Sequence, residues 1–144
     1  MQARMRLREF QVADRNWCIL CVDDEVLPLT LRTLVLVKQG YRVLTADSIE
    51  KALLILDENS VDLVLTDQLM PGGTGTKLAA AVKQKWPGLP VILISGVNEL
   101  PANAESADLF ISKVEGPTAM LEKISAVLSG WRPEAEAAVD ERPI

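Results

Sequence analysis

Five short apolar runs alternate with helical patterns along this chain: Trp17 to Val22, Arg42 to Thr45, Val61 to Thr66, Val91 to Ser95 and Asp108 to Ser112. Each is rich in β-branched and aliphatic residues and closes in turn-forming or polar residues, which reads as a buried strand. Between them lie helical patterns at Val26 to Gln39, Ser48 to Glu58 and Thr76 to Trp86, and a last one, Pro117 to Leu128, follows the fifth run. Ile49, Ala52, Leu53 and Leu56 recur at the i, i+3, i+4, i+7 spacing of a helix lying on a sheet, as do Met120, Ile124 and Val127. Strands joined by helices pair in parallel, so the pattern predicts an α/β fold, a doubly wound five-stranded parallel sheet. The fourth connection, 96–107, holds Pro101 and no sustained apolar stripe, and predicts a short or irregular helix.

With 144 residues, about half of them apolar, the chain reads as one domain at 17–130, flanked by an N-terminal extension, 1–16, and a mobile tail, 131–144. Fifteen Lys and Arg against 20 Asp and Glu leave a net charge of −5, which disfavours nucleic acid. No apolar stretch reaches membrane-spanning length and residues 1–16 lack the apolar centre of a signal peptide, so a soluble cytoplasmic protein is expected. There is no histidine, which excludes a Ser-His-Asp triad, a His-ligated metal and an intrinsic phosphohistidine relay. Cys18 and Cys21 have a Cys-x-x-Cys spacing but fall within one strand, where residues three apart stand about 10 Å from one another. They read as core cysteines.

Polar groups recur just past the apolar runs. Asp67 ends the third run before Gln68-Leu69-Met70-Pro71-Gly72; Asp23 and Asp24 follow the first, Ser95 closes the fourth and Lys113 follows the fifth. Right-handed crossovers gather these ends at one edge, where open α/β sheets bind ligands. Three acids in one cleft repel, and a divalent cation relieves that; oxygen ligands with room for water suit Mg²⁺. A hydroxyl and an ammonium opposite them suit phosphoryl oxygens. Each residue also has an ordinary reading: Asp24 as a helix cap, Asp23 as a loop acid, Ser95 as a turn residue, Lys113 as a surface cation. The Gly72 to Lys77 stretch lacks a Gly before Lys77 and has Leu78 where a nucleotide loop needs Ser or Thr, so it reads as a turn and helix start.

Through Cys21-Val22-Asp23-Asp24-Glu25, Leu65 to Gly72, Leu93-Ile94-Ser95-Gly96 and Phe110-Ile111-Ser112-Lys113, the chain resembles the receiver domain of two-component response regulators from about Trp17 to Leu128. The resemblance implies the flavodoxin-like strand order 2-1-3-4-5. It implies Asp67 as phosphoacceptor from a sensor histidine kinase, a phosphotransfer protein or a small phosphodonor. Mg²⁺ would be held by Asp24, Asp67 and the Leu69 carbonyl, with Asp23 direct or through water. Ser95 and Lys113 would bind phosphoryl oxygens, and Phe110 matches an aromatic switch position. The expected function is a stand-alone relay or switch, not an enzyme beyond accepting and slowly losing its own phosphoryl group. A phosphorylation-independent interaction module and a Mg²⁺-dependent aspartyl phosphohydrolase are the alternatives; the hydrolase usually has an acid where this chain has Leu69.

The chain departs from that family in three places. Val114 stands where a proline usually follows the lysine, so Lys113 is expected to be held less rigidly. The Ser95 to Lys113 interval is shorter than the norm by about four residues, one helical turn. Leu69 and Val97 place apolar groups beside the acceptor and the hydroxyl, which predicts a long-lived phosphoaspartate. In the first helix, Leu27, Leu31, Leu34 and Val35 share one face, read as the core face, while Val26, Leu29, Leu36 and Val37 gather opposite and are read as a docking surface for a helical partner such as a kinase bundle. A homodimer is a second assembly left open.

Overall fold

The computed structural model describes residues 16–70, 72–96 and 107–130. Five parallel strands, β1 (Cys18–Val22), β2 (Arg42–Ala46), β3 (Leu63–Asp67), β6 (Val91–Ser95) and β7 (Leu109–Ser112), form one sheet in the order β2-β1-β3-β6-β7. A two-stranded hairpin, β4 (Leu69–Met70) with β5 (Gly73–Thr74), interrupts the count, so the main sheet has the expected 2-1-3-4-5 arrangement. The helices are α1 (Val26–Lys38), α2 (Ile49–Glu58), α3 (Gly75–Lys85) and α4 (Pro117–Leu128). The hairpin falls in a stretch that reads as loop from sequence. The expected irregular fourth helix, the N-terminal extension before Asn16 and the tail from Trp131 lie outside the described residues.

A parallel sheet with helices on both faces buries both sides of its strands, which is why β1, β3 and β6 are apolar almost throughout. Alternate residues divide into two cores. Ile19, Leu63, Leu65, Ile92 and Ile111 pack with Leu36 of α1 and with Met120, Ile124 and Val127 of α4. Leu20, Val22, Val64 and Val91 pack with Ala52 and Leu56 of α2 and with Leu78, Ala79 and Val82 of α3. Cys18 and Cys21 are free and buried, and burial pushes the Cys21 thiol up to about 12. Both are packing residues.

Local signals set the helix ends. Ser48 Oγ accepts from Lys51 N at 3.1 Å and Thr74 Oγ1 from Lys77 N at 3.2 Å, the N-cap geometry. Pro117 starts α4, and Gly40, at φ 106°, turns the chain after α1.

The orientation of α1 corrects the sequence reading. Leu36 is fully buried and Leu29 and Val35 pack against the core, whereas Leu27, Leu31 and Leu34 are each more than half exposed. Of the four residues read as a docking face, Val26 and Val37 are exposed but Leu29 and Leu36 are not. The cause is that α1 carries large apolar residues on both faces, while its inner stripe contains Arg32 and Thr33 and so looks polar. Periodicity alone could not choose the face.

Candidate functional site

The carboxyl ends of β1, β3, β6 and β7 converge. Register pairs Val22 with Thr66, Asp67 with Ile94 and Ser95 with Ser112, bringing the residues that end or follow these strands to one edge. The backbone locks this edge: Gln68 N donates to Ile94 O and Lys113 N to Ser95 O, both at 2.9 Å. Oxygens of Asp23, Asp24 and Asp67 lie within 4.8 Å of one another. Lys113 Nζ stands 3.0 Å from Asp67 Oδ1. Asp67 and Asp23 are 3% and 2% exposed, Ser95 is buried beside them, and Asp24 is half-buried at the mouth.

Burial sets the electrostatics of Asp67. Desolvation raises its pKa above the ordinary carboxylate value; the hydrogen bond and charge of Lys113 and the charge of Arg32 pull it back, while Asp23 pushes it further up. A buried carboxylate that needs a cation beside it is poised for a ligand that brings positive charge. Three clustered carboxylate oxygens form a hard, all-oxygen donor set, the kind that fits Mg²⁺.

Several supporting residues carry no sequence signal of their own. Gly75 begins α3 where an added Cβ would stand 2.5 Å from the Asp67 carbonyl oxygen, so the helix reaches the Asp67 backbone only with glycine there. Gln68 turns inward, its Oε1 accepting from Thr76 N at 3.0 Å and Thr76 Oγ1 at 2.9 Å, which ties the chain after Asp67 to α3. Arg32 of α1 reaches Asp23, its Nη1 donating to Asp23 Oδ2 at 2.7 Å.

The turn after Lys113 is tied by side chains in place of a proline. Glu115 Oε2 accepts from Ser112 N at 3.0 Å, Ser112 Oγ accepts from Val114 N at 3.3 Å, and Lys123 Nζ bridges Glu115 Oε1 and the Phe110 carbonyl at 3.0 and 3.2 Å. Lys113 thus projects from a cross-linked turn, where the sequence suggested looser support. Phe110 is partly buried in β7, and Leu69 is half exposed in β4. Val97 lies outside the described residues.

A doubly wound sheet with an acid cluster, a hydroxyl and a lysine at its carboxyl edge is the arrangement that the resemblance to receiver domains implies. The chain belongs to the response regulator receiver domain family, whose profile matches residues 19–125. It is 33% identical over 128 residues to the transcriptional regulatory protein GlrR of Escherichia coli, covering 86% of this chain and 28% of that protein. A receiver domain structure from Clostridium thermocellum is 30% identical with a TM-score of 0.73, covering 78% of this chain and 94% of that one. The response regulator TrrA of Thermotoga maritima is 29% identical; its structure with Mg²⁺ and BeF matches at a TM-score of 0.69, covering 77% of this chain and 98% of that one. TrrA in complex with the histidine kinase ThkA matches at 0.72, with coverages of 78% and 98%. The chain spans 18% of the length of HoxA of Cupriavidus necator and 56% of that of PhoB of Pseudomonas aeruginosa. No helix among the described residues is long and apolar enough to cross a membrane.

Proposed function

We propose that this receiver accepts a phosphoryl group on Asp67 and signals through protein contacts in the cytoplasm. The observation that carries the reading is the buried Asp67 carboxylate with Lys113 Nζ at 3.0 Å and two further acids within 4.8 Å. The phosphodonor histidine must lie outside this sequence, which contains none. An Asp67 oxygen attacks phosphorus, the P–N bond of a donor phosphohistidine breaks, and its electron pair stays on the imidazole nitrogen, which takes up a proton. Lys113 neutralises phosphoryl oxygens and Ser95 donates a hydrogen bond to one of them.

Asp24, Asp67 and the Leu69 carbonyl would hold Mg²⁺, with Asp23 direct or through water; when bound, the ion supplies positive charge for the phosphoryl oxygens. The chain promotes its own phosphorylation but turns over no other substrate. Leu69 shields the acceptor from attacking water and lengthens the life of the phosphoaspartate. Phosphorylation adds about 1.5 to 2 negative charges, and movement of Ser95, Lys113 and Phe110 toward that charge would carry the switch.

The exposed face of α1, Leu27, Leu31 and Leu34 with Val26 and Val37, would dock a helical kinase bundle. Leu31 and Val35 also line a groove of about 400 Å³ between α1 and α4 that runs to Lys113, which puts an apolar contact next to the reacting carboxylate.

Incubation with a small phosphodonor and Mg²⁺ should add one phosphoryl group by intact mass, and Asp67→Asn should abolish it. No adduct on the wild type favours the phosphorylation-independent module, and multiple turnover of a phosphoester favours the hydrolase. Leu31→Asp with Leu34→Asp should leave this reaction intact while blocking transfer from a kinase.

A further inference from the structure

The inner stripe of α1 reads Leu29, Arg32, Leu36, and the middle residue is a cation among core side chains. Arginine is seldom placed so deep without a partner. Here the partner is Asp23: the side chains are 16% and 3% exposed and joined at 2.7 Å. The other Asp23 oxygen, Oδ1, accepts from Glu25 N at 3.0 Å. Both oxygens of one of the three clustered acids are therefore engaged by the protein itself. The charge of Arg32 is also felt at Asp67.

We propose that Arg32 is an internal counter-cation that competes with the divalent ion for the Asp23 carboxylate, so that metal uptake at the acid cluster displaces the guanidinium from Asp23. The inference rests on the reading of this cluster as a metal-assisted phosphoacceptor site. Without metal, Arg32 and Lys113 offset two of the three carboxylates, which keeps the empty cluster from repelling itself apart. With metal, a doubly charged ion and a guanidinium cannot share one carboxylate cheaply, and one must yield. The groove between α1 and α4 gives Arg32 somewhere to go, because the side chain lines it together with Glu25, which offers a second carboxylate. Arg32 thus sets how much metal the site needs.

Calorimetric titration with Mg²⁺ of the wild type, Arg32→Met, Asp23→Asn and the double variant tests this. Arg32→Met should bind Mg²⁺ about tenfold more tightly than the wild type, about 1.4 kcal/mol. In the Asp23→Asn background the same change should gain about threefold or less, since the contested carboxylate is gone. Arg32→Lys keeps stem and charge but loses the planar fork, and serves if the Met variant does not fold; it should gain about threefold. Unchanged or weaker binding in the folded Arg32 variants overturns the competition while leaving the metal site standing. An equal tenfold gain in both backgrounds also overturns it, because the guanidinium would then act as remote charge. No Mg²⁺ uptake by any variant removes the metal-site reading and this inference with it.

Discussion

Aspartates stand at both edges of the sheet, and the two edges use them in opposite ways. At the amino edge, Asp62 Oδ2 accepts from Cys18 N at 2.8 Å, while Asp108 Oδ2 accepts from Val91 N and pairs with Lys83 Nζ, both at 2.7 Å. These acids satisfy the first N–H of a neighbouring strand, groups that would otherwise be buried unpaired. At the carboxyl edge, Asp23, Asp24 and Asp67 crowd within 4.8 Å, and burial holds Asp67 above its ordinary pKa. The amino edge spreads its acids, one per open N–H; the carboxyl edge concentrates them and relies on cations. One edge holds the sheet together, and the other concentrates charge that burial makes costly.

The largest effect separating the edges is chemical. Asp67→Asn should lose the phosphoryl adduct completely, while Asp108→Asn should form it fully, as intact mass would record. Next comes stability: Asp108→Ala strands the Val91 N–H and takes from Lys83 its carboxylate while the Leu89 carbonyl stays, and should cost about 2 to 3 kcal/mol in urea unfolding. Asp62→Ala loses one backbone partner and no ion pair, so about 1 to 2 kcal/mol is expected in the same measurement.

The smallest effect is a pH dependence at the turn after Lys113. The Ser112 N–H first, and Lys123 second, hold the Glu115 carboxyl below its ordinary value of 4.5. A depressed folded pKa means that Glu115 supports the turn above 4.5 and that this support fades as pH falls through the lower folded value. Glu115→Gln should flatten that part of the stability profile, as thermal unfolding across the acid range would record.

The sheet, its strand order and the carboxyl-edge site were readable because each strand announces itself as an apolar run and each site residue stands at its end. Asp23, Asp24, Asp67, Ser95 and Lys113 come together as that logic requires. Three features escaped it. The face of α1 was inverted because Leu27, Leu31 and Leu34 are apolar yet exposed, and the inner stripe is broken by Arg32. Arg32 itself reads as a surface cation, since nothing in a helix nine residues downstream of Asp23 says that its guanidinium turns back to that acid. The β4–β5 hairpin and the Glu115–Lys123 tie hide in loop-like stretches, because such pairs are set by tertiary geometry more than by local pattern.

The contrast between the edges is tested most directly by the unfolding free energies of Asp67→Asn and Asp108→Asn, each with and without Mg²⁺. Without the ion, Asp67→Asn should be at least as stable as the wild type and Asp108→Asn less stable. With Mg²⁺ at 100 times its dissociation constant, the wild type and Asp108→Asn should each gain about 2.7 kcal/mol, and Asp67→Asn far less. If Asp67→Asn proved less stable than the wild type without Mg²⁺, or gained as much from it, Asp67 would be an ordinary structural acid and the account would be wrong.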